Sequence, residues 1–203
     1  MNEVSMGKVV SQAAMSLDGF IAQHDNDIGT LFDFYDNGPV EIATAMPHLT
    51  FHVTEVTAAY LRSVMEGLGA LVVGRTLFDV TNGWDGRHPF DVPVFVVTHE
   101  PPPHWGHDDA PFTFVTDGVA AAVEAARRVA GDRVVGVTAG TIASQCLRLG
   151  LLDEVCVDLV PVVLGEGRRY FEDSAAGAVL LGNPTTSIAG DRVTHLVFPV
   201  TRG

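Results

Sequence analysis

Residues 133–171, RVVGVTAGTIASQCLRLGLLDEVCVDLVPVVLGEGRRYF, constrain the fold more than any other stretch of the chain. Val134 to Val137 read as a buried strand that runs into the small-residue turn Thr138-Ala139-Gly140-Thr141. The turn opens a short helix with Ile142, Ala143, Cys146, Leu147 and Leu149 on its apolar side. Gly150 ends that helix, since glycine accepts the left-handed conformation of a C-terminal cap. A second apolar strand spans Val155 to Leu164 and stops at Gly165-Glu166-Gly167. Strand, helix and strand so closely joined form a crossover unit, which predicts parallel pairing. A glycine turn at a helix N-terminus also leaves backbone N–H groups beside the positive end of the helix dipole, a plausible phosphate site.

The remaining chain is consistent with an enzyme-sized globular domain. At 203 residues, 47% hydrophobic and 18% charged, it reads as one domain over 1–203 with a disordered leader at 1–6. Twelve Lys and Arg against 25 Asp and Glu leave a net charge of −13, which argues against nucleic acid and anionic membranes as partners. An anionic ligand would need particular arginines or backbone amides. Neither a signal peptide nor a spanning helix is legible, so the expected location is cytoplasmic. Cys146 and Cys156 stand in apolar surroundings and read as buried free thiols.

Taken in order, Lys8 to Met15 is a strand, followed by Ser16-Leu17-Asp18-Gly19-Phe20-Ile21-Ala22, for which an Asp-Gly hairpin turn is the local reading. Residues 23–53 form a long acidic loop. Its aromatics Phe32, Phe34 and Tyr35 either fold over a cleft or pack against the body. Residues 54–67 predict a helix capped by Thr54, then a strand from Leu68 to Val73 ending in Gly74-Arg75-Thr76. That junction presents amides, a guanidinium and a hydroxyl to an anion. Trp84, in a turn-rich segment, covers either the cleft or a subunit contact. Val92 to Thr98 and Phe112 to Val115 are further strands, and Asp117 caps a helix from Gly118 to Ala130. Leu180 to Ile188 and Arg192 to Val200 flank Ala189-Gly190-Asp191 as a terminal hairpin.

Metal binding is disfavoured. Around Asp25 and Asp27 the calcium-loop pattern fails at Gly29, Thr30 and Asp36. The histidines and aspartates from His99 to Asp109 lack cysteines or a helical His-x-x-x-His, and prolines interrupt them. No G-x-G-x-x-G follows the first strand, and no G-x-S-x-G elbow suggests a hydrolase.

Several motifs together carry a resemblance. They are the glycine turn, Leu147-x-x-Gly150-Leu151, Leu152-Asp153-Glu154, Pro161-Val162-Val163-Leu164-Gly165-x-Gly167 with Phe171, the Ser16 to Ala22 segment, and Gly74-Arg75-Thr76. From Lys8 to Val200 the chain resembles the C-terminal reductase domain of riboflavin-biosynthesis deaminase/reductases, of the dihydrofolate-reductase-like superfamily, without the deaminase domain. The resemblance implies an α/β fold: a three-layer α/β/α sandwich, mostly parallel, with a C-terminal antiparallel hairpin. It implies an NADPH-dependent reductase, a homodimer, and hydride transfer to a C=O or C=N bond of a small metabolite. The alternatives keep the cleft for non-redox chemistry or for ligand binding alone.

The resemblance also assigns residues. Ala14, Phe20 and Ile21 border the nicotinamide cleft. Gly74, Arg75 and Thr76, with Ala139, Gly140, Thr141, Ile142 and Ala143, face the cofactor phosphates. Thr98 and His99 lie beside its adenosine half, and Leu164 completes the cofactor set. Asp18 is the first candidate proton donor, with Asp33 and Asp36 as alternatives, while Phe34, Tyr35 and Trp84 form the substrate wall. The family's phosphate turn is usually Gly-Gly, so Ala139 is a departure expected to crowd the pyrophosphate or force an unfavourable backbone angle.

Overall fold

The computed structural model describes residues 7–172 and 177–201, so the leader expected over 1–6 lies outside the described residues. The strands are β1 (Val9–Ser16), β2 (Phe20–Ala22), β3 (Val40–Ala43), β4 (Thr50–Val53), β5 (Leu68–Gly74), β6 (Val94–Val97), β7 (Phe112–Val115), β8 (Val134–Thr138), β9 (Glu154–Val160), β10 (Arg168–Arg169), β11 (Thr186–Ala189) and β12 (Thr194–Pro199). The helices are α1 (Glu55–Gly67), α2 (Arg75–Val80), α3 (Val119–Ala130) and α4 (Thr141–Arg148).

An eight-stranded sheet runs β11-β12-β9-β1-β8-β5-β6-β7. It is parallel from β9 to β7, and β12 and β11 add an antiparallel edge. The crossover β8–α4–β9 is present, but its strands do not pair with each other. β1 lies between them, with Ser11 opposite both Val137 and Val155.

Helices cover both faces. Val9, Val72, Val135 and Val157 point to one side, where α3 contributes Ala122, Val123 and Ala126 and α4 contributes Ile142 and Cys146. On the other side, α2 packs Phe78 against Val73, Val94 and Val96. Burying a face of this kind contributes on the order of 25 cal/mol per Å² of apolar area. Both cysteines are free and buried, and desolvation pushes each thiol up to about 12. Neither is an activated nucleophile.

Several local expectations change. Asp117 does not cap α3: Gly118 is the N-cap and no side chain bonds the first turn. β9 stops at Val160 because Pro161 has no N–H to donate to a ladder. Residues 23–53 carry structure of their own, a 3₁₀ segment at Gly29–Tyr35 and the antiparallel pair β3–β4. Within them, Asp25 and Asp27 accept hydrogen bonds from the N–H groups of Asp27 and Gly29, each at 3.0 Å, and so serve as turn formers.

Candidate functional site

Strands β5, β6, β7 and β8 release their chain at one edge of the sheet, where open α/β folds bind ligands. The turns there, with β1 and the start of the 3₁₀ segment, enclose a cavity of about 970 Å³. That is at the upper end of the range for small-molecule sites. Among the residues expected to meet a cofactor, Ala14, Ile21, Gly74, Arg75, Thr76, Thr98, His99, Ala139, Gly140, Thr141 and Ile142 line this cavity. Phe20 and Ala143 do not. Phe20 is buried with the Arg169 guanidinium 4.9 Å from its ring centroid, and Ala143 is fully buried in α4. Leu164 packs at the margin of the cluster around Leu31 and Phe34.

The turn into α4 shows why a glycine stands there. Gly140 has φ 80° and ψ −137°, a conformation L-residues rarely adopt. Its own N–H donates to the Tyr170 carbonyl at 2.8 Å. The N–H groups of Thr141, Ile142 and Ala143 have no acceptor among the described residues, and of these residues Thr141 and Ile142 line the cavity. Ala139 precedes the glycine with an ordinary negative φ, so the unfavourable angle expected at this alanine does not arise. Gly74 answers a different demand. A β-carbon there would come within 3.3 Å of the Ile142 side chain, so its absence lets β5 and α4 approach.

Arg75 lines the cavity but is engaged on three sides. Its Nε donates to Asp79 at 2.7 Å, and its Nη1 donates to the Glu100 carbonyl at 2.8 Å and to the Thr98 hydroxyl at 3.4 Å. Asp79 offsets much of the positive charge that a cofactor phosphate would meet.

The three acids considered as proton donors lie outside the cavity lining. Asp18 is a clasp: it accepts from the Ser16 hydroxyl at 2.6 Å, the Gly165 N–H at 2.7 Å and the Leu164 N–H at 3.2 Å. The Ser16 hydrogen bond, with those two amides, holds its carboxyl below the usual carboxylate range, against a proton-donor role at neutral pH. Asp33 and Asp36 are exposed, and Asp36 approaches His52 at 3.5 Å.

The expected substrate wall also moves. Phe34 is 1% exposed and belongs to a core cluster with Leu31, Val160 and Val193. Tyr35 stacks on Phe51 and Phe34, and Trp84 packs against His88 and Phe112. Of that aromatic group, Phe32 lines the cavity. Trp105 packs edge-on to Phe78 and Phe112.

The sequence reading missed a polar line behind the cavity. Asp158, 2% exposed, lies opposite Ala14 on β1 and His195 on β12. Its Oδ1 meets His195 Nδ1 at 2.6 Å and its Oδ2 accepts from Gln12 Nε2 at 3.3 Å. His195, 0% exposed, places Nε2 3.3 Å from the Thr57 hydroxyl and stacks on Tyr60. Gln12 lines the cavity. A signal was available: Asp158 and His195 each interrupt an apolar strand, in VCVDLV and THLVF, and a buried charge needs a partner.

Among the described residues, no group of three or more His, Cys, Asp or Glu could hold a metal ion, and no helix is long and apolar enough to cross a membrane.

A profile of the RibD C-terminal domain matches residues 7–191. Among solved structures, a protein assigned to riboflavin biosynthesis from Shewanella sp. PV-4 superposes with TM-score 0.70 at 22% identity, covering 96% of this chain and 99% of that one. RibD from Acinetobacter baumannii follows at TM-score 0.61 and 16% identity, with 98% of this chain on 59% of that one. Dihydrofolate reductase from Enterococcus faecalis, solved with NADP(H), gives 0.57 at 13% identity over 97% and 98%. Among curated proteins none matches.

Proposed function

This chain belongs to the RibD C-terminal domain family, and from that premise we propose that it is a reductase using NADPH. Its substrate is a small metabolite, heterocyclic in kind, reduced at a C=O or C=N bond. The observation that carries this reading is the convergence of four elements on one cavity: the Gly74, Thr98 and Gly140 turns and the Gln12 to Ala14 segment of β1. The same fold holds NADP(H) in the Enterococcus enzyme.

NADPH supplies the hydride when bound, and the chain's part is orientation and electrostatics. The free N–H groups at the start of α4 suit the pyrophosphate. Thr98 and His99, two strands away, suit the adenosine half. Ala14 and Ile21 suit the nicotinamide ring, because small and apolar side chains let the ring lie close to β1. None of Asp18, Asp33 and Asp36 lines the cavity, so the proton for the reduced atom comes from water or from one of the ionisable groups that do line it, Asp27, His99, Glu100 and Glu172. We extend the reading to a cytoplasmic homodimer, which size-exclusion chromatography with light scattering tests.

Calorimetric titration with NADPH and NADH, followed by absorbance at the dihydronicotinamide band with a panel of carbonyl and imine compounds, tests the reading. Tighter binding of NADPH and substrate-dependent loss of that band are expected. No binding of either cofactor up to millimolar concentration would overturn it.

A further inference from the structure

We propose that Asp158 is a buried anion acting through the wall of the cavity: it favours the oxidised, positively charged nicotinamide over the reduced one. It thereby stabilises the charge that hydride transfer creates. The inference rests on the reading that the cavity holds NADPH with its ring against Ala14.

Strand register places the carboxylate. Asp158 lies opposite Ala14 in the parallel pairing of β1 with β9, and paired residues of neighbouring strands face the same side of a sheet. Ala14 lines the cavity, and Asp158, 2% exposed, stands one strand behind it. Strands lie about 4.8 Å apart, so a ring resting on Ala14 comes within roughly 10 Å of the carboxylate. Gln12, on the same side of β1, lies between Asp158 and the cavity.

The hydrogen bonds give this group one net negative charge. The Thr54 hydroxyl donates to Thr57 Oγ1 at 3.2 Å, and Thr57 turns its own hydrogen to His195 Nε2 at 3.3 Å. An accepting Nε2 leaves the single ring proton on Nδ1, which donates to Asp158 Oδ1 at 2.6 Å. The imidazole is therefore neutral and the carboxylate keeps its charge. Its second oxygen accepts from Gln12 Nε2 at 3.3 Å. Among the described residues no lysine or arginine pairs with Asp158, whose partner is His195.

Burial decides how far the charge is felt. Of the acids that line the cavity, Asp27 and Glu100 are exposed and Glu172 is half-buried. Of its arginines, Arg75 is held by Asp79 and Arg168 by Asn26. Water and salt screen charges of that kind, whereas Asp158 acts through protein. Transfer of a hydride, electron pair included, from the dihydronicotinamide to the substrate carbon leaves the ring with one positive charge, while the reduced heteroatom takes up a proton. At an effective dielectric constant of about 20, a carboxylate roughly 10 Å away favours the charged ring about tenfold.

The test is calorimetric titration of the full chain with NADP⁺ and with NADPH, which differ only at the nicotinamide. The readout is the ratio of their dissociation constants. Asp158→Asn keeps the shape and both hydrogen bonds, since its amide accepts from His195 and donates to a Gln12 carboxamide turned round. It should weaken NADP⁺ about tenfold and leave NADPH within about twofold. The same rise between Gln12→Leu and the double variant of Gln12→Leu with Asp158→Asn assigns the effect to the charge rather than to the turned carboxamide. Raising the ionic strength about tenfold should leave the parent's ratio unchanged.

A ratio that Asp158→Asn does not move, or a parallel loss of both nucleotides, would overturn the proposal. So would a rise that vanishes in the Leu background, or a ratio that drifts with salt and so belongs to Asp27, Glu100 or Glu172. Should Asp158→Asn fail to fold by near-ultraviolet circular dichroism, the nitrogen shifts of His195 in the parent protein decide. A protonated Nδ1 beside a bare Nε2 is expected, and two protonated nitrogens would make the pair neutral and end the argument. Binding of neither nucleotide would overturn the reductase reading along with this one, whereas binding of both with an unmoved ratio overturns this one alone.

Discussion

On the β5 to β8 side of the cavity the groups that face a ligand are backbone amides and short side chains delivered by turns, with Gly140 as their extreme case at φ 80°. On the β1 side a single carboxamide is backed by residues from β9, β12 and α1, through Asp158, His195 and Thr57. The first construction tolerates many side chains and depends on a few backbone angles. The second fixes no unusual angle and depends on every partner, because each buried polar group relies on the next for its hydrogen bond.

The largest expected effect tests the second construction. His195→Ala leaves the Asp158 carboxylate buried without its closest partner and should cost ~3–5 kcal/mol in chemical denaturation. A loss below about 1 kcal/mol would mean that the line is not structurally coupled.

The two sides also differ in their imidazoles. His195 has a carboxylate, whereas His88 is 9% exposed and desolvation alone lowers it from 6.5 to about 4. Above pH 6.5 both folded and unfolded states carry His88 neutral. As pH falls from 6.5 toward 4 the unfolded chain takes a proton that the folded one refuses, and stability drops by at most ~3 kcal/mol. Below 4 the loss levels off. His88→Asn, which keeps an acceptor for the Phe90 N–H, should remove that segment of the stability–pH curve. An unchanged curve would show that His88 is hydrated in solution.

Gly140→Ala tests the first construction. A β-carbon would meet nothing closer than Ile21 Cδ1 at 3.9 Å, so the cost is conformational, ~1–3 kcal/mol, with weaker NADPH binding. Unaltered melting temperature and affinity would contradict the role given to this turn. The smallest effect belongs to Arg75→Ala. Its pair with Asp79 has side chains 37% and 52% exposed, so thermal denaturation should report less than ~1 kcal/mol. A larger loss would show that the Glu100 carbonyl contact anchors the loop.

This division explains what was legible in the sequence. A glycine that must be left-handed, the helix it opens and the apolar strands around it are encoded within a few adjacent residues, and the parallel sheet follows from their alternation. Gln12, Asp158 and His195 meet only because Ala14 and His195 both lie opposite Asp158, a matter of strand register that no local pattern states. Phe34 and Tyr35 were ambiguous for a related reason. An aromatic in an acidic, turn-rich segment gives no periodicity, so its inward direction is decided by Val160 and Val193 from the far end of the chain. Asp18 was read as an acid for chemistry because the amides that claim it, at Leu164 and Gly165, come from a distant loop.

The placement of β1 between β8 and β9 has a consequence for how the molecule comes into being. β1 has no partner in the sheet until Val135 and its neighbours have been synthesised, and its second partner begins only at Glu154. Pairings so remote in sequence are slow to form, since a long loop must close before any contact rewards it. The nascent strand VVSQAAMS must therefore wait as an unpaired edge until β8 has been made. A chain truncated before β8 is expected to hold only the β5-β6-β7 part of its sheet, so the cavity can close only late in synthesis.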